Sequence, residues 1–369
     1  MSLARGPEKH TSKGNRETPM RIVRPDILQK LVTRACERMG ARPEDAAQVA
    51  ASLVAASLCG YDSHGVYRLV QYHDWWKRGL LDPAARPILV REAPFAAQVD
   101  GRRGFGPVVA GFATRVAIGK ARGNGVAVVT VTGCTQVGRL ADYAETIQEA
   151  GLIGLVTVND CGGGQCVIPW GGREPRLATN PIAMGIPGGT GPGILFDFAT
   201  SAAAQGKVRQ LLFRGETTPP GWLLDAEGVP TRDPSLLFAE PPGALLPAGG
   251  HKGYALSLAV EVLSGILSGA GFSRPGRGPD ELNGMFILAL DVAWFLPPEE
   301  FRSKVDELTA YVKSARPLPG GRPVQIPGEP DREEAARRSR EGIPLNEQTW
   351  SKVAEVLQDL GLPAEFPAG

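Results

Sequence analysis

The chain has 369 residues, 40 of them basic and 39 acidic, for a formal net charge of +1 and a charged fraction of 21%. That balance gives no electrostatic reason to bind nucleic acid or an anionic membrane, and no apolar run approaches the roughly 18 to 20 residues that cross a bilayer. A soluble, cytoplasmic chain of two or three interlocked subdomains is expected, because this length exceeds the usual single domain.

Residues 1–19 are polar, mixed in charge and lack the apolar core of a secretory signal, so they read as a disordered tail, with Met20 a natural alternative start. Pro25 to Met39 repeats apolar residues at Ile27, Leu28, Leu31, Val32 and Ala35 and stops at Gly40, the pattern of an amphipathic helix. Pro43 to Cys59 is a second helix, rich in alanine. Tyr61 to Tyr72 then gathers more reactive side chains than any comparable stretch. A helix starting at about Ser63, capped by Asp62 or Ser63, places His64, Arg68 and Tyr72 at i, i+4 and i+8 on one face. An imidazole moves protons near neutral pH and a guanidinium forks onto a carboxylate, so the segment suits a small acid substrate. The alternative is a capped helix with a hydrogen-bonded His64 and a surface Arg68. His73 reads as a surface or cap residue, and Trp75 and Trp76 as packing.

From Pro87 the pattern changes to α/β. Ile88–Val90, Ala96–Val99, Gly125–Val131, Leu152–Val158, Pro181–Ile186 and Ile194–Phe198 are strand-like, with helical patterns at Val108–Lys120, Arg139–Ala150 and Thr200–Phe213. Pro219 to Leu246 is rich in Pro and Gly and reads as a long surface excursion. Gly253 to Leu267 is apolar almost all round, the mark of a buried helix. Phe286–Val292 is another strand, and Pro298–Ser314, Asp331–Glu341 and Leu345–Leu360 are helices, with a proline-rich linker from Pro317 to Pro327. The expected organisation is a tail (1–19), a helical substrate-side unit (20–86), an α/β cofactor unit (87–297) and C-terminal helices packing back on the first unit (298–369).

The glycine fingerprint of dinucleotide-binding domains, the Walker loop, HExxH and GxSxG are all absent. With only His10, His64, His73 and His251 available, no multi-histidine metal site is expected. Five scattered cysteines, Cys36, Cys59, Cys134, Cys161 and Cys166, fit reduced thiols. Asp197 lies inside an apolar strand, and a buried carboxylate needs a specific partner such as His64, or else neighbouring amides. Lys252, in a glycine-rich helix start, suits an anionic group of a ligand or else is a solvated loop lysine.

The ordered stretches DSHGVYRL, VGRLADYAE, PWGGREP, ATNPIA, LFDFATSAAAQGK, GWLLDAEGVPTRDP, GGHKGYALSL and IPGEPDREEAARR resemble the type-2 malate/L-lactate dehydrogenase family, from about Met20 to Leu362. This family includes ureidoglycolate and sulfolactate dehydrogenases and Δ1-piperideine-2-carboxylate reductase. The resemblance implies an NAD- or NADP-dependent reductase of a small carboxylate substrate, a non-Rossmann, largely antiparallel sheet wrapped by helices, a helical domain from both chain ends, and a homodimer with its site in a domain cleft. It implies Ser63, His64 and Asp197 as catalytic residues, Asp197 being a relay carboxylate, and Arg68 as the clamp on the substrate carboxylate. Tyr72, Thr179 and Gln136 are then substrate-side positions. The implied cofactor positions are His64, Gln136, Val137, Gly138, Arg139 and Leu140, then Asp160, Asp197, Phe198 and Ala199, then His251, Lys252, Pro327, Gly328 and Glu329.

One departure stands out. The family usually carries a histidine where this chain has Gln136, and glutamine donates a hydrogen bond without delivering a proton. Loss of general acid help typically costs about 10²–10⁴ in rate. Ala178 and Ala255 replace common glycines and suggest a reshaped pocket. Three readings follow: a 2-keto acid reductase working through His64, an imine reductase that needs less acid catalysis, and a homologue that binds cofactor or partner with its chemistry lapsed.

Overall fold

The computed structural model describes residues 20–274 and 282–363. The expected tail, 1–19, lies outside them. In chain order the elements are β1 (Met20–Val23), α1 (Pro25–Arg38), α2 (Pro43–Leu58), α3 (Arg68–Lys77), β2 (Ile88–Ala93), β3 (Ala96–Asp100), α4 (Gly106–Asn124), β4 (Val126–Cys134), α5 (Ala141–Glu149), β5 (Leu152–Asp160), β6 (Ile182–Ile186) and β7 (Ile194–Phe198). There follow α6 (Gln205–Arg214), β8 (Leu223–Leu224), β9 (Pro230–Thr231), β10 (Ala244–Leu245), α7 (His251–Val260), β11 (Asn283–Asp291), α8 (Pro298–Lys313), α9 (Glu329–Glu341), β12 (Ile343–Asn346) and α10 (Glu347–Asp359).

The main sheet has seven strands in the order β2-β3-β4-β11-β5-β6-β7, antiparallel except for the β3–β4 pair. The late strand β11 occupies its centre, where Met285, Ile287 and Ala289 at alternate positions are fully buried on one face and Phe286 is buried on the other. Helices α4 and α5 pack on one side. Between β3 and β4 the crossover is α4, which ends at Gly125 with φ +80°, a left-handed stop that glycine takes without strain.

A second core joins the two ends of the chain. Leu28, Val32 and Cys36 of α1 and Ala46, Ala50 and Leu53 of α2 meet Trp350, Val353 and Leu357 of α10, while β1 pairs antiparallel with β12. His73, expected at the surface, is buried in this unit with Nε2 2.9 Å from Asp359 Oδ2 of α10. Helix α8 does not join this core. Its Asp306 accepts hydrogen bonds from the amides of Gly189 and Thr190, at 2.9 and 2.7 Å, beside the large sheet.

Two further expectations are corrected. The stretch Pro219–Leu246 is not a surface loop: β8, β9 and β10 form a small sheet, and Leu223, Leu237 and Leu245 bury a core with Val208 of α6. Its apolar residues are too widely spaced by Pro and Gly to show a period. The apolar segment after residue 250 is not fully enclosed. Gly253, Ser257, Val260 and Glu261 face inward, while Leu256, Val262, Ile266 and Leu267 stay 41%, 51%, 55% and 55% exposed. The α-helix also passes into a π-helix at Glu261–Ile266. Among the described residues no helix is long and apolar enough to cross a membrane.

Candidate active site

Residues 62–67 form a series of tight turns, and α3 begins only at Arg68. The His64 amide donates to Tyr61 O at 2.8 Å and the Arg68 amide to Gly65 O at 2.9 Å, so the expected helix from Ser63 is replaced by turns. Neither Asp62 nor Ser63 caps it. Asp62 instead pairs with Arg338 of α9 at 2.6 Å, and Arg338 also donates to Ser57 O at 2.7 Å. Tyr61 Oη reaches Asp331 at 3.1 Å. The reactive loop is therefore held from behind by α9.

A cavity of about 940 Å³ opens in front of the loop, within the roughly 300–1,000 Å³ of small-molecule sites. Ser63, His64 and Arg68 line one wall, and Gln136, Val137, Gly138 and Leu140 from the segment after β4 line another. Asp160 and Thr179 line it as well, and Gly206 and Arg209 of α6 line it beside the Ser63 loop. Ala178 lines it too, whereas Ala255 is exposed on α7.

Within the cavity, His64 Nδ1 lies 3.1 Å from Ser63 Oγ. Burial first, and then the neighbouring Arg68 guanidinium, push the imidazole down to about 3, so the ring is neutral at physiological pH. Arg68 is braced by its Nε bond to Ser63 O at 2.7 Å and by Gln71 Oε1. Gln136 is fixed as well: its Oε1 accepts from the Gly138 amide at 2.9 Å, which leaves the NH₂ end of the amide for the cavity.

Several expected site residues do other work. Tyr72 is fully buried rather than lining the cavity, its ring edge-on to Phe105 at 5.3 Å and its hydroxyl donating to Gln136 O at 2.7 Å. Arg139 is 3% exposed and locked between Asp142 and Asp331 at 3.0 and 2.9 Å. Asp197 is not paired with His64. Its Oδ2 accepts from the Ala141 amide at 3.0 Å, the first residue of α5, where a helix leaves its amides without intrahelical partners. Burial raises this carboxyl to about 6, against the lowering effect of the α5 amides and Arg139.

Phe198 is half exposed and stacked on Phe196 at 5.3 Å. Ala199, exposed His251 and Lys252, and Pro327, Gly328 and Glu329 are not among the cavity residues. Glu329 pairs with Lys313 at 2.6 Å, and Pro327 O accepts from the Leu195 amide at 3.1 Å. All five cysteines are free, and no cluster of His, Cys, Asp or Glu that could hold a metal occurs among the described residues. Burial raises the thiols of Cys134 and Cys166.

Three contributors were not anticipated. Asn283 Oδ1 accepts from the Val137 amide at 3.1 Å and so fixes the Gln136 segment to the central strand. Asn180 lines the cavity with φ +39° and donates to Glu261 at 2.9 Å and Ser257 at 3.0 Å. Its signal was the Asn-Pro pair inside ATNPIA, since Asn tolerates the left-handed region. Arg209 gave no signal beyond its charge.

A mostly antiparallel sheet with helices packed on it thus carries histidine and arginine side by side on the wall of one cavity. The chain belongs to the malate/L-lactate dehydrogenase family, whose pattern matches residues 23–354. It is 36% identical to L-sulfolactate dehydrogenase of Methanothermobacter thermautotrophicus over 349 residues, covering 93% of this chain and 98% of that one. The solved malate dehydrogenase of Entamoeba histolytica superposes with a TM-score of 0.88 at 30% identity, covering 94% of this chain and 100% of that chain. The Δ1-piperideine-2-carboxylate reductase of Pseudomonas syringae pvar. tomato gives 0.80 at 32% identity, covering 91% and 99%.

Proposed function

We propose that this chain is an NAD(P)-dependent reductase of small 2-keto acids, and dehydrogenase of the matching 2-hydroxy acids, acting as a cytoplasmic homodimer. The observation that carries the reading is the placement of His64 and Arg68 on one wall of a single cavity, facing Gln136. The family and its named relatives support a small carboxylate substrate. The cavity volume and the wall of Gln136, Val137, Gly138 and Leu140 fit a nicotinamide group. When bound, that cofactor would supply or accept hydride at the substrate carbon.

The chain's own residues then have distinct tasks. Arg68, already oriented by Ser63 O, binds the substrate carboxylate. A neutral His64 is in the correct state to take the hydroxyl proton of a 2-hydroxy acid. In the reverse direction a bound carboxylate offsets the charge of Arg68, which is one of the two causes depressing His64, and so eases proton uptake at the ring. With Nδ1–H donating to the Ser63 hydroxyl, Nε2 carries the lone pair that takes the proton, and the imidazolium so formed is the acid that returns it in the reverse direction. Gln136 donates a hydrogen bond to the substrate oxygen. The outward apolar residues Leu256, Val262, Ile266 and Leu267 supply a face that a second copy would cover.

Gln136 favours a second reading, reduction of a 2-imino acid, because a protonated C=N is already electrophilic and asks less of a general acid. The similarity to a Δ1-piperideine-2-carboxylate reductase supports it. The test is NAD(P)H oxidation against 2-keto acids and cyclic 2-imino acids, with wild type beside His64→Ala, Arg68→Ala and Gln136→His. Ketone turnover lost in His64→Ala and Arg68→Ala upholds the first reading; turnover of imines alone upholds the second. Cofactor binding without turnover, with ketone activity gained in Gln136→His, overturns both in favour of a lapsed enzyme.

A further inference from the structure

Helix α6 is set directly against the reactive loop: a Cβ added to Gly206 would lie 2.4 Å from Ser63 Cβ, so glycine there lets the helix approach. Arg209 follows three residues later, about 4.5 Å along the axis and on the same face. It lines the same cavity as Arg68. Its guanidinium carbon sits 4.8 Å from the centroid of the Phe238 ring. Such stacking fixes the plane of the group and leaves its N–H edges free for an anion.

The other charged groups near the mouth are committed. Asp62 is paired with Arg338, Asp74 with Arg78 at 3.1 Å, and Arg214 with Glu216 at 3.2 Å. Among the described residues no carboxylate lies within ion-pair distance of Arg209. The third cavity carboxylate, Asp160, belongs to the β5 wall beside Gly164, where an added Cβ would lie 2.2 Å from its Oδ2. The cavity thus presents two arginines, one braced at the loop and one on α6 stacked on Phe238.

Resting on the reading of the site given above, we propose that Arg209 is a specificity residue which binds a second, terminal anion of the substrate, a carboxylate or sulfonate. The preferred substrates are then dianionic 2-keto acids, with Arg68 on the 1-carboxylate and Arg209 on the far end. A monoanionic 2-keto acid of similar size leaves Arg209 unused.

The test is steady-state NAD(P)H oxidation with pyruvate, oxaloacetate and 3-sulfopyruvate, for wild type, Arg209→Gln and Arg209→Lys, with thermal melting to verify folding. We expect wild-type kcat/KM at least about tenfold higher for the two dianions than for pyruvate. Arg209→Gln should raise KM for the dianions about tenfold or more while leaving kcat and the pyruvate KM within about twofold, and Arg209→Lys should recover part of the loss. Equal use of pyruvate and the dianions by wild type would overturn the proposal and leave the reductase reading intact, as would an equal KM shift for all three in Arg209→Gln. Turnover of no 2-keto acid at all would overturn the reductase reading and this proposal with it. Preference for oxaloacetate over 3-sulfopyruvate, or the reverse, identifies which terminal anion Arg209 meets.

Discussion

The hydroxyl of Tyr72 donates a 2.7 Å hydrogen bond to the main-chain oxygen of Gln136, joining α3 to the segment after β4 across 64 positions of sequence. The bond ties the wall that carries Arg68 to the wall that carries Gln136. Replacing Tyr72 by Phe leaves that carbonyl without its partner in a buried setting, at a cost of about 1–3 kcal/mol. Chemical denaturation should show this loss, and kcat/KM should fall about tenfold as the two walls loosen. Full activity in Tyr72→Phe would mean that the Asn283 bond to the Val137 amide is enough to position the Gln136 segment.

A second constraint on the same segment comes from Gly106. A Cβ there would stand 2.0 Å from Gln136 O and 2.7 Å from Thr135 O, both backbone atoms. Alanine gains up to about 1 kcal/mol over glycine inside a helix, but overpacking costs about 1–3 kcal/mol. Gly106→Ala should therefore be net destabilising, with a lower melting temperature and a raised KM for substrate. A rise in melting temperature would refute the tight approach.

Arg139 separates a structural role from a ligand role. Side-chain removal should cost about 3 kcal/mol, the low end for breaking a buried ion pair, because Asp142 and Asp331 keep 19% and 25% exposure. NADH and NADPH affinity of Arg139→Met, measured by fluorescence quenching on the folded protein, should stay within about twofold of wild type. Weak cofactor binding with unchanged stability would restore Arg139 to the cofactor site.

Two groups give stability opposite dependences on pH. His64 drops from 6.5 to about 3 on folding, so the unfolded chain binds a proton that the folded chain refuses between those values. Its contribution is complete above pH 6.5 and is lost as pH falls toward 3. Asp197 rises from 3.8 to about 6, so its contribution is complete below 3.8 and is lost as pH rises through 6. In urea denaturation, the stability of wild type relative to His64→Gln should decline from pH 7 to 5. Relative to Asp197→Asn it should decline from pH 4 to 6.5. A reversed slope for His64→Gln would mean that the folded imidazole is protonated.

The sequence carried the alternation of strands and helices well, because β5, β6, β7 and β11 are bounded by Gly, Pro and Asn and show strand chemistry directly. It also brought His64 and Arg68 together, although through the wrong local geometry: helical spacing suggested a shared face, whereas a run of turns delivers them to one cavity. Long-range pairing was not legible. Asp197 had two physically sound partners, an imidazole and a set of amides, and only the packing of β7 against α5 decided for the amides. The same holds for Tyr72 and Arg139, whose residue types suit a ligand as well as they suit a buried contact. In Pro219–Leu246 the apolar residues lack a period, so a small core passed for a loop. The apolar stretch after residue 250 read as buried on composition alone, yet Leu256, Val262, Ile266 and Leu267 are exposed, because composition does not say which neighbours a segment meets.

The shared core of α1, α2 and α10, together with the central place of β11, bears on how a nascent chain acquires its site. The segment bearing His64 and Arg68 leaves the ribosome early, but the strand that carries Asn283 and the elements β12 and α10 emerge more than two hundred residues later. Until then the cavity lacks its floor and the first helices lack half their packing partners. The cavity therefore cannot be complete until these late elements are made, and that delay is set by the order of elements along the chain.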